Sequence, residues 1–364
     1  MIVRRAPRGI VPDLTAEALR PLISDELDQG DPFVLHHRWP GRGEFRYYAY
    51  TTGAGEVVEG RAFPIYGSWN LLEWRLLGRA LQAEAGRACW APCLRLIRGL
   101  RRPFVMLYSR GRGVGEEAHR EHRIYRADST SPEGPFETTG PVTPPTLDFA
   151  IDPDVFMTPG GELRLTFATD FVDGDRPGTG LAEAPISGDL ATLLAEPRPL
   201  ARPLHDWQIF DARRRMPWKE IPGISWERGD RVTWHCIEGP ATIFSPRGRR
   251  FTIYSGGCFE GNYATALLGG EAGNGLTDLS LAPGGMLIAS RPAEGIFGPG
   301  HGCVVRAASG EEVYIFHARF GSAEAPRQMA LAPIRWTAAG VPELILPVRE
   351  GRFPSSPGEA PPVS

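Results

Sequence analysis

Three carboxylates, Asp31, Asp152 and Glu238, stand at the starts of apolar strand-like runs, each beside a proline or a Gly-Pro pair. Two carboxyl groups held across one pocket can divide proton work, one taking a proton and one giving it. A third, kept ionised nearby, raises the proton affinity of its neighbour by like-charge repulsion. Asp before Pro is also an ordinary way to begin a turn, so neither aspartate is diagnostic alone. Asp154 lies two residues past Asp152 and shares its face of a strand by period two. Glu44, Glu162 and Asp170 fall in turns or at strand ends and read as solvated.

Positioning these groups together requires a repeated element. Five anchors recur along the chain: Gly-Asp-Pro at Asp31, Trp-Ala-Pro at Trp90, Ile-Asp-Pro at Asp152, Glu-Gly-Pro at Glu238 and Gly-Pro-Gly-His at His301. Their steps are 59, 62, 86 and 63 residues. Each precedes an aromatic-rich strand: Tyr47 to Tyr50, Phe104 to Ser109, Leu163 to Phe167, Phe251 to Ser255 and Val313 to His317. A third strand follows in every unit. Such a period denotes one supersecondary unit that cannot bury both of its faces alone. The expectation is an all-β, five-bladed β-propeller of four-stranded antiparallel blades over residues 31–350. An extension over 1–30 precedes it, with one short helix predicted between Leu14 and Leu27, and a mobile tail over 351–364 follows. The first strand of each blade begins near the axis, so Asp31, Asp152 and Glu238 should share one pocket.

Composition narrows the function classes. The 44 glycines and 35 prolines among 364 residues suit many short strands joined by turns. A net charge of −3 with mixed signs lacks the concentrated basic field that nucleic acid requires, and the arginine tracts at Arg98 to Arg102 and Arg213 to Arg215 read as solvated turns. Met1 to Arg5 leads into no apolar signal core, and no run approaches the roughly 20 apolar residues of a membrane span. The five cysteines are odd in number and lie beside the anchors, as free thiols. The expected location is therefore cytoplasmic, and no membrane partner is expected.

In order, Asp31-Pro32-Phe33-Val34-Leu35, Trp90-Ala91-Pro92, Ile151-Asp152-Pro153-Asp154-Val155-Phe156, Glu238-Gly239-Pro240 with Tyr254-Ser255-Gly256-Gly257, and Gly298-Pro299-Gly300-His301 followed by Phe316-His317-Ala318 resemble the successive signatures of glycoside hydrolase family 43. The resemblance spans about Asp31 to Pro342. It implies a propeller that hydrolyses α-L-arabinofuranosides or β-D-xylosides with inversion. By the same resemblance Asp31 is the general base, Glu238 the general acid, and Asp152 the residue that tunes and orients the acid. It also places His301 on the axis, in many members near a calcium ion, and Arg327 against the substrate. No other cofactor is implied.

Trp90 is a candidate sugar platform and Phe33 a candidate second wall, since an indole or phenyl face stacks on the apolar face of a sugar. The longest step, before Glu238, contains Trp207, Trp218 and Trp226, and suggests a loop over the pocket mouth whose aromatic side chains, Trp207 first, contact the sugar. Cys93 and Gly302-Cys303 depart from residues common in the family. The expected activity is exo-hydrolysis of short plant-derived oligosaccharides. A phosphorolytic or transferase relative, or one acting on another furanoside, would need extra basic residues or different subsites. A carbohydrate-binding propeller would keep the aromatics and lose a carboxylate.

Overall fold

The computed structural model describes residues 19–23, 27–37, 43–55, 57–270 and 275–346. Five antiparallel units follow one another along the chain. Blade I comprises Phe33–His36, Tyr47–Tyr50, Arg61–Ser68 and Trp74–Gln82, and blade II Cys89–Leu96, Phe104–Arg110, Arg123–Ser129 and Glu137–Pro141. Blade III comprises Ala150–Met157, Leu163–Phe171, Gly178–Pro185 and Arg198–Ala201. In blade IV, Val232–Phe244, Arg250–Gly256 and Ala264–Gly270 are followed by two short outer segments, Thr277–Asp278 and Met286–Ala289. Blade V comprises Ile296–Arg306, Glu312–Phe320, Gln328–Trp336 and Pro342–Leu344.

The second strands are near-continuous apolar runs because both of their faces are covered. In Phe104–Arg110, Phe104, Met106 and Tyr108 join Tyr48, Tyr50, Phe63 and Ile65 of blade I. Val105 and Leu107, on the opposite face by period two, join Val155, Leu165 and Phe167 of blade III. The pattern continues around the molecule. Ile151, Ala168 and Leu181 meet Ile237, Tyr254 and Ala266 between blades III and IV, and Ile243, Phe251 and Ile253 meet Tyr314, Phe316 and Ala330 between IV and V. Val313, Ile315 and Met329 of blade V then pack on Val34, Tyr47, Ala49 and Tyr66 of blade I. The five first strands together line an axial cavity of about 590 Å³.

One backbone device recurs where each first strand enters this axis. Asp31 (φ 53°), Ala91 (48°), Asp152 (59°), Gly239 (59°) and His301 (40°) all adopt the left-handed conformation. In blades II to V the pairing of first and second strands slips at this point, a bulge that re-aims the side chains. The equivalent positions are thus 31, 91, 152, 239 and 301, so Trp90 and Glu238 each stand one residue before the left-handed residue of their blades. Residues 19–23 and 27–30, the described part of the N-terminal extension, are tied to the blades. Leu22 and Gln29 donate backbone N–H bonds to Met329 and Arg327 of blade V at 2.8 and 2.6 Å, and the Gln29 side chain accepts from the Met329 N–H. The helix expected over Leu14 to Leu27 lies in large part outside the described residues, and residues 19–23 form no helix. The tail over 351–364 lies outside them entirely.

The bulge in blade V leaves no room for a side chain at Gly302. A Cβ there would sit 2.0 Å from the Ile315 carbonyl oxygen and 2.7 Å from Phe316 Cα, both backbone atoms. Gly302→Ala should lower the Tm by on the order of 5 °C, as overpacking against an immovable strand does. Thermal denaturation followed by circular dichroism measures this, and an unchanged Tm would mean that the strand pair yields.

Candidate active site

Asp31, Trp90, Asp152, Glu238, His301 and Arg327 line one cavity of about 400 Å³. Residues separated by up to 296 positions converge because each stands at the axial start of a blade or beside one. Asp31 is the most heavily supported. Its Oδ1 lies 3.1 Å from Arg327 Nη1 and 3.2 Å from His301 Nδ1, and its N–H donates to His317 Nδ1 at 3.1 Å. Burial alone would raise its pKa. Arg327 above all, then His301, His317 and the Thr52 hydroxyl, outweigh that and hold the carboxyl well below the usual carboxylate range. Asp31 is thus ionised at neutral and mildly acidic pH.

Arg327 is itself pinned. Nε and Nη2 contact the Asp28 carboxylate at 2.9–3.2 Å, and Nη2 donates to the Gly53 carbonyl at 3.1 Å. Gly30 makes this packing feasible, since a Cβ there would fall 2.0 Å from Arg327 Cζ. Most of the guanidinium donors are therefore spent inside the protein, and Arg327 serves the site first by charging Asp31.

Asp152 has the opposite electrostatics. Burial first, then Glu238 and Asp31, push its pKa up to about 7, against the pull of His301 and the Gly239 amide. That amide donates to Asp152 Oδ2 at 3.1 Å, and His301 Nδ1 stands 3.8 Å from the same oxygen. Burial would lower the His301 pKa, but Asp152, Asp31 and Glu238 raise it above the ordinary imidazole value. Glu238 has a donor on each oxygen: the Tyr263 hydroxyl on Oε1 at 2.8 Å and the Cys236 thiol on Oε2 at 3.2 Å. Tyr263 in turn stacks on His317 with rings 4° from parallel. Gly239 must lack a side chain, because a Cβ there would meet the His301 ring at 2.8 Å.

Two expected wall residues lie elsewhere. Phe33 faces the axial cavity, with the Arg95 guanidinium 5.3 Å from its ring, because the left-handed backbone at Asp31 sends the strand after it along that cavity. Trp207 packs on Tyr254 at 6.1 Å and donates to Ser280 Oγ, which makes it part of the flap's attachment. Trp90 does line the pocket, its indole stacked on His122 at 4.1 Å. Asp154 accepts the Thr242 N–H in the axial cavity and takes no part in the pocket. Glu44 and Glu162 are exposed as expected, whereas the Asp170 carboxylate is 7% exposed and pairs with Lys219 at 2.5 Å.

Asp28 and Tyr263 escaped the sequence reading, for they carry no anchor motif, while His317 stood within the fifth signature and Cys236 beside the fourth anchor without a role assigned to either. Arg214 corrects it: this residue is no solvated turn but lines the pocket from the strand Ile209–Arg214, which pairs with the strand bearing Glu238. The connection before Glu238 has a small core of its own, Met216, Ile221, Val232 and Trp234, with Trp218 and Trp226 packed against it. It offers Phe210 and Arg214 to the pocket, and no tryptophan. As a cation site, Asp152, Glu238 and His301 present one ligand atom each within 4.8 Å of one another. Calcium takes about six to eight oxygens. Two carboxylate oxygens and a ring nitrogen do not by themselves fit it.

A propeller whose axial pocket joins an arginine-charged carboxylate to a second, donor-held one has the layout of a glycoside hydrolase. The chain matches the model of Glycosyl hydrolases family 43 over residues 26–342, and it belongs to that family. It is 21% identical over 336 residues to an extracellular exo-α-(1→5)-L-arabinofuranosidase of Streptomyces avermitilis, covering 90% of this chain and 63% of that relative's length. Its fold is similar to that of a thermostable family-43 glycoside hydrolase (TM-score 0.67, 23% identity, 95% of this chain and all of the other). It is also similar to an endo-1,4-β-xylanase of Bacteroides thetaiotaomicron (TM-score 0.64, 24% identity, 90% and 96%). An α-L-arabinanase of Cellvibrio cellulosa, solved with arabinohexaose, shares the fold as well (TM-score 0.60, 18% identity, 88% and 96%).

The contrast between the two aspartates has a thermodynamic signature. Asp152 keeps a proton in the folded state that the unfolded chain releases above about pH 4, so stability falls as pH rises from about 4 to about 7. Asp31 behaves oppositely, contributing stability above about pH 4 that is lost as pH falls towards its depressed folded value. The Tm of Asp152→Asn minus that of wild type should therefore increase between pH 4 and pH 8, by on the order of 2 °C. For Asp31→Asn the same difference should become more negative as pH rises towards about 4 and stay nearly flat above it. Thermal melts from about pH 3 to pH 8 measure both, and parallel curves would contradict the assignment.

Proposed function

We propose that this protein is an inverting, exo-acting hydrolase that releases α-L-arabinofuranose, or β-D-xylose, from short oligosaccharides. The observation that carries the reading is the separation of roles in one pocket: Asp31 is held ionised by Arg327, while Asp152 and His301, whose proton affinities are raised, stand beside Glu238. Asp31 takes a proton from water as the water oxygen bonds to the anomeric carbon. Glu238 gives its proton to the glycosidic oxygen as that C–O bond breaks, and solvent returns the proton from Asp31 to Glu238 between turnovers. Asp152, which itself holds a proton up to about pH 7, orients Glu238 through the Gly239 amide and His301, and its charge acts on Glu238 only once that proton is lost. The exo-α-(1→5)-L-arabinofuranosidase activity of the Streptomyces avermitilis relative supports the choice of sugar and end. So does the flap that borders the cavity with Phe210 and Arg214.

Proton NMR of the first turnovers should show the inverted anomer before mutarotation. Retention would make one carboxylate a nucleophile and remove Asp31 as base. Asp31→Asn should lower turnover at least ~10²-fold on every substrate, whereas Glu238→Gln should cost as much on oligosaccharides but less on aryl glycosides, whose leaving group needs little protonation. Early release of mid-sized fragments from linear arabinan would overturn the exo mode. We further place the protein in a reducing compartment, on the strength of five unpaired cysteines, four of them buried. Cell fractionation with an antibody should find it in the cytoplasm, and recovery from the medium would refute this.

A further inference from the structure

Arg214 is the member of the Arg213-Arg214-Arg215 tract that turns inward, its two neighbours being exposed. Its guanidinium lies 4.9 Å from the Phe210 ring and 5.5 Å from that of Trp234. Trp234 is buried and tied to Thr179 Oγ1 through its indole N–H at 3.3 Å, so one wall of this clamp is fixed. Rings attract the cation by about 0.5–2 kcal/mol but do not neutralise it. The acidic groups around it are otherwise engaged. Asp170 is bound by Lys219 and by the Thr179 hydroxyl, Asp211 accepts the Arg213 N–H at the exposed edge, and Glu238 holds Tyr263 and Cys236. His119, the other basic group facing it, has its pKa lowered by burial and by Arg214 itself. Among the described residues no carboxylate lies within ion-pair distance of Arg214, in contrast to Arg327 with Asp28 and Asp31. A half-buried guanidinium that is clamped, faces a cavity and has no anion is a vacant carboxylate receptor, because its planar fork matches a carboxylate with two parallel hydrogen bonds.

We propose that Arg214 recognises the carboxylate of an acidic sugar, a uronic acid, on the leaving-group side of the scissile bond. This rests on the hydrolase reading given above. The side follows from topology. The strand Ile209–Arg214 is paired with the strand that carries Glu238, and the acid faces the departing oxygen. A phosphate acting as nucleophile would have to approach from the Asp31 side, across the sugar ring, so the arginine is placed for a leaving group and not for phosphorolysis.

The test uses two matched substrates, 3-carboxyphenyl α-L-arabinofuranoside and its methyl ester, which differ at the leaving group by one charge. Wild type should show the higher kcat/KM on the carboxylate, and added salt should erode that advantage. Arg214→Gln should reduce kcat/KM on the carboxylate about 10- to 100-fold more than on the ester, with Arg214→Lys between them. Equal losses on both substrates, or no wild-type preference, would overturn the proposal. Isothermal titration with D-glucuronate and D-glucose reads the same site without turnover: glucuronate should bind wild type, glucose far more weakly, and Arg214→Gln should lose the difference. If no glycoside is cleaved, the hydrolase reading falls while the titration still decides the anion site. Titration of the folded Arg214→Lys variant guards against a collapsed Arg214→Gln.

Discussion

The buried ion network of Arg327 with Asp28 and Asp31 is the interaction on which the remainder depends. It stands at the seam where blade V meets blade I and where Leu22 and Gln29 are hydrogen-bonded to Met329 and Arg327. Removing one partner would strand a desolvated charge, which is far costlier than the pair is favourable. The same contacts that join blade V to blade I also hold Asp31 ionised. Folding and chemistry are thereby linked through one guanidinium, and the site is complete only when the last blade is docked.

Around that seam, the left-handed residue at each blade start sets the aim of the side chains. For a non-glycine residue this conformation costs roughly 1–2 kcal/mol, and Asp31, Asp152 and His301 all bear it. The surrounding barrel of first strands over-determines the backbone, and the following proline in blades I to IV keeps the chain from relaxing into the sheet. At the two remaining positions the side chain is minimal, Ala91 and Gly239, and at Gly239 the reason is explicit: the His301 ring occupies the space. Three ionisable groups fit at the axis because two positions of the ring were left nearly empty.

Electrostatic contrast inside so small a volume follows from which partner each acid has. Asp31 faces a guanidinium that cannot lose its proton, whereas Asp152 faces an imidazole that can, along with two other carboxylates. The connection before Glu238 completes the enclosure by adding a satellite core and two pocket-facing residues, Phe210 and Arg214, without disturbing the blades.

Much of this was legible in the sequence. The alternation of Phe104, Met106 and Tyr108 with Val105 and Leu107 is a local property, and a strand buried on both faces has to read that way, so the blades and their number follow from residue order. Asp31, Asp152, Glu238 and His301 were equally visible, because a bulge at an Asp-Pro or Gly-Pro step leaves a local mark. What the tertiary structure alone decided concerns direction and partnership. Phe33 stands only two residues past the left-handed Asp31, yet it lines the axial cavity alone, whereas Asp31 and its counterpart Asp152 also reach the pocket. Asp28 and Arg327 are separated by 299 positions and Tyr263 and Glu238 by 25, and no periodicity encodes such pairs. Arg214 looks in sequence like its solvated neighbours; only the clamp of Phe210 and Trp234, assembled from two strands, turns it inward, since a side chain's charge is local but its burial belongs to the whole fold.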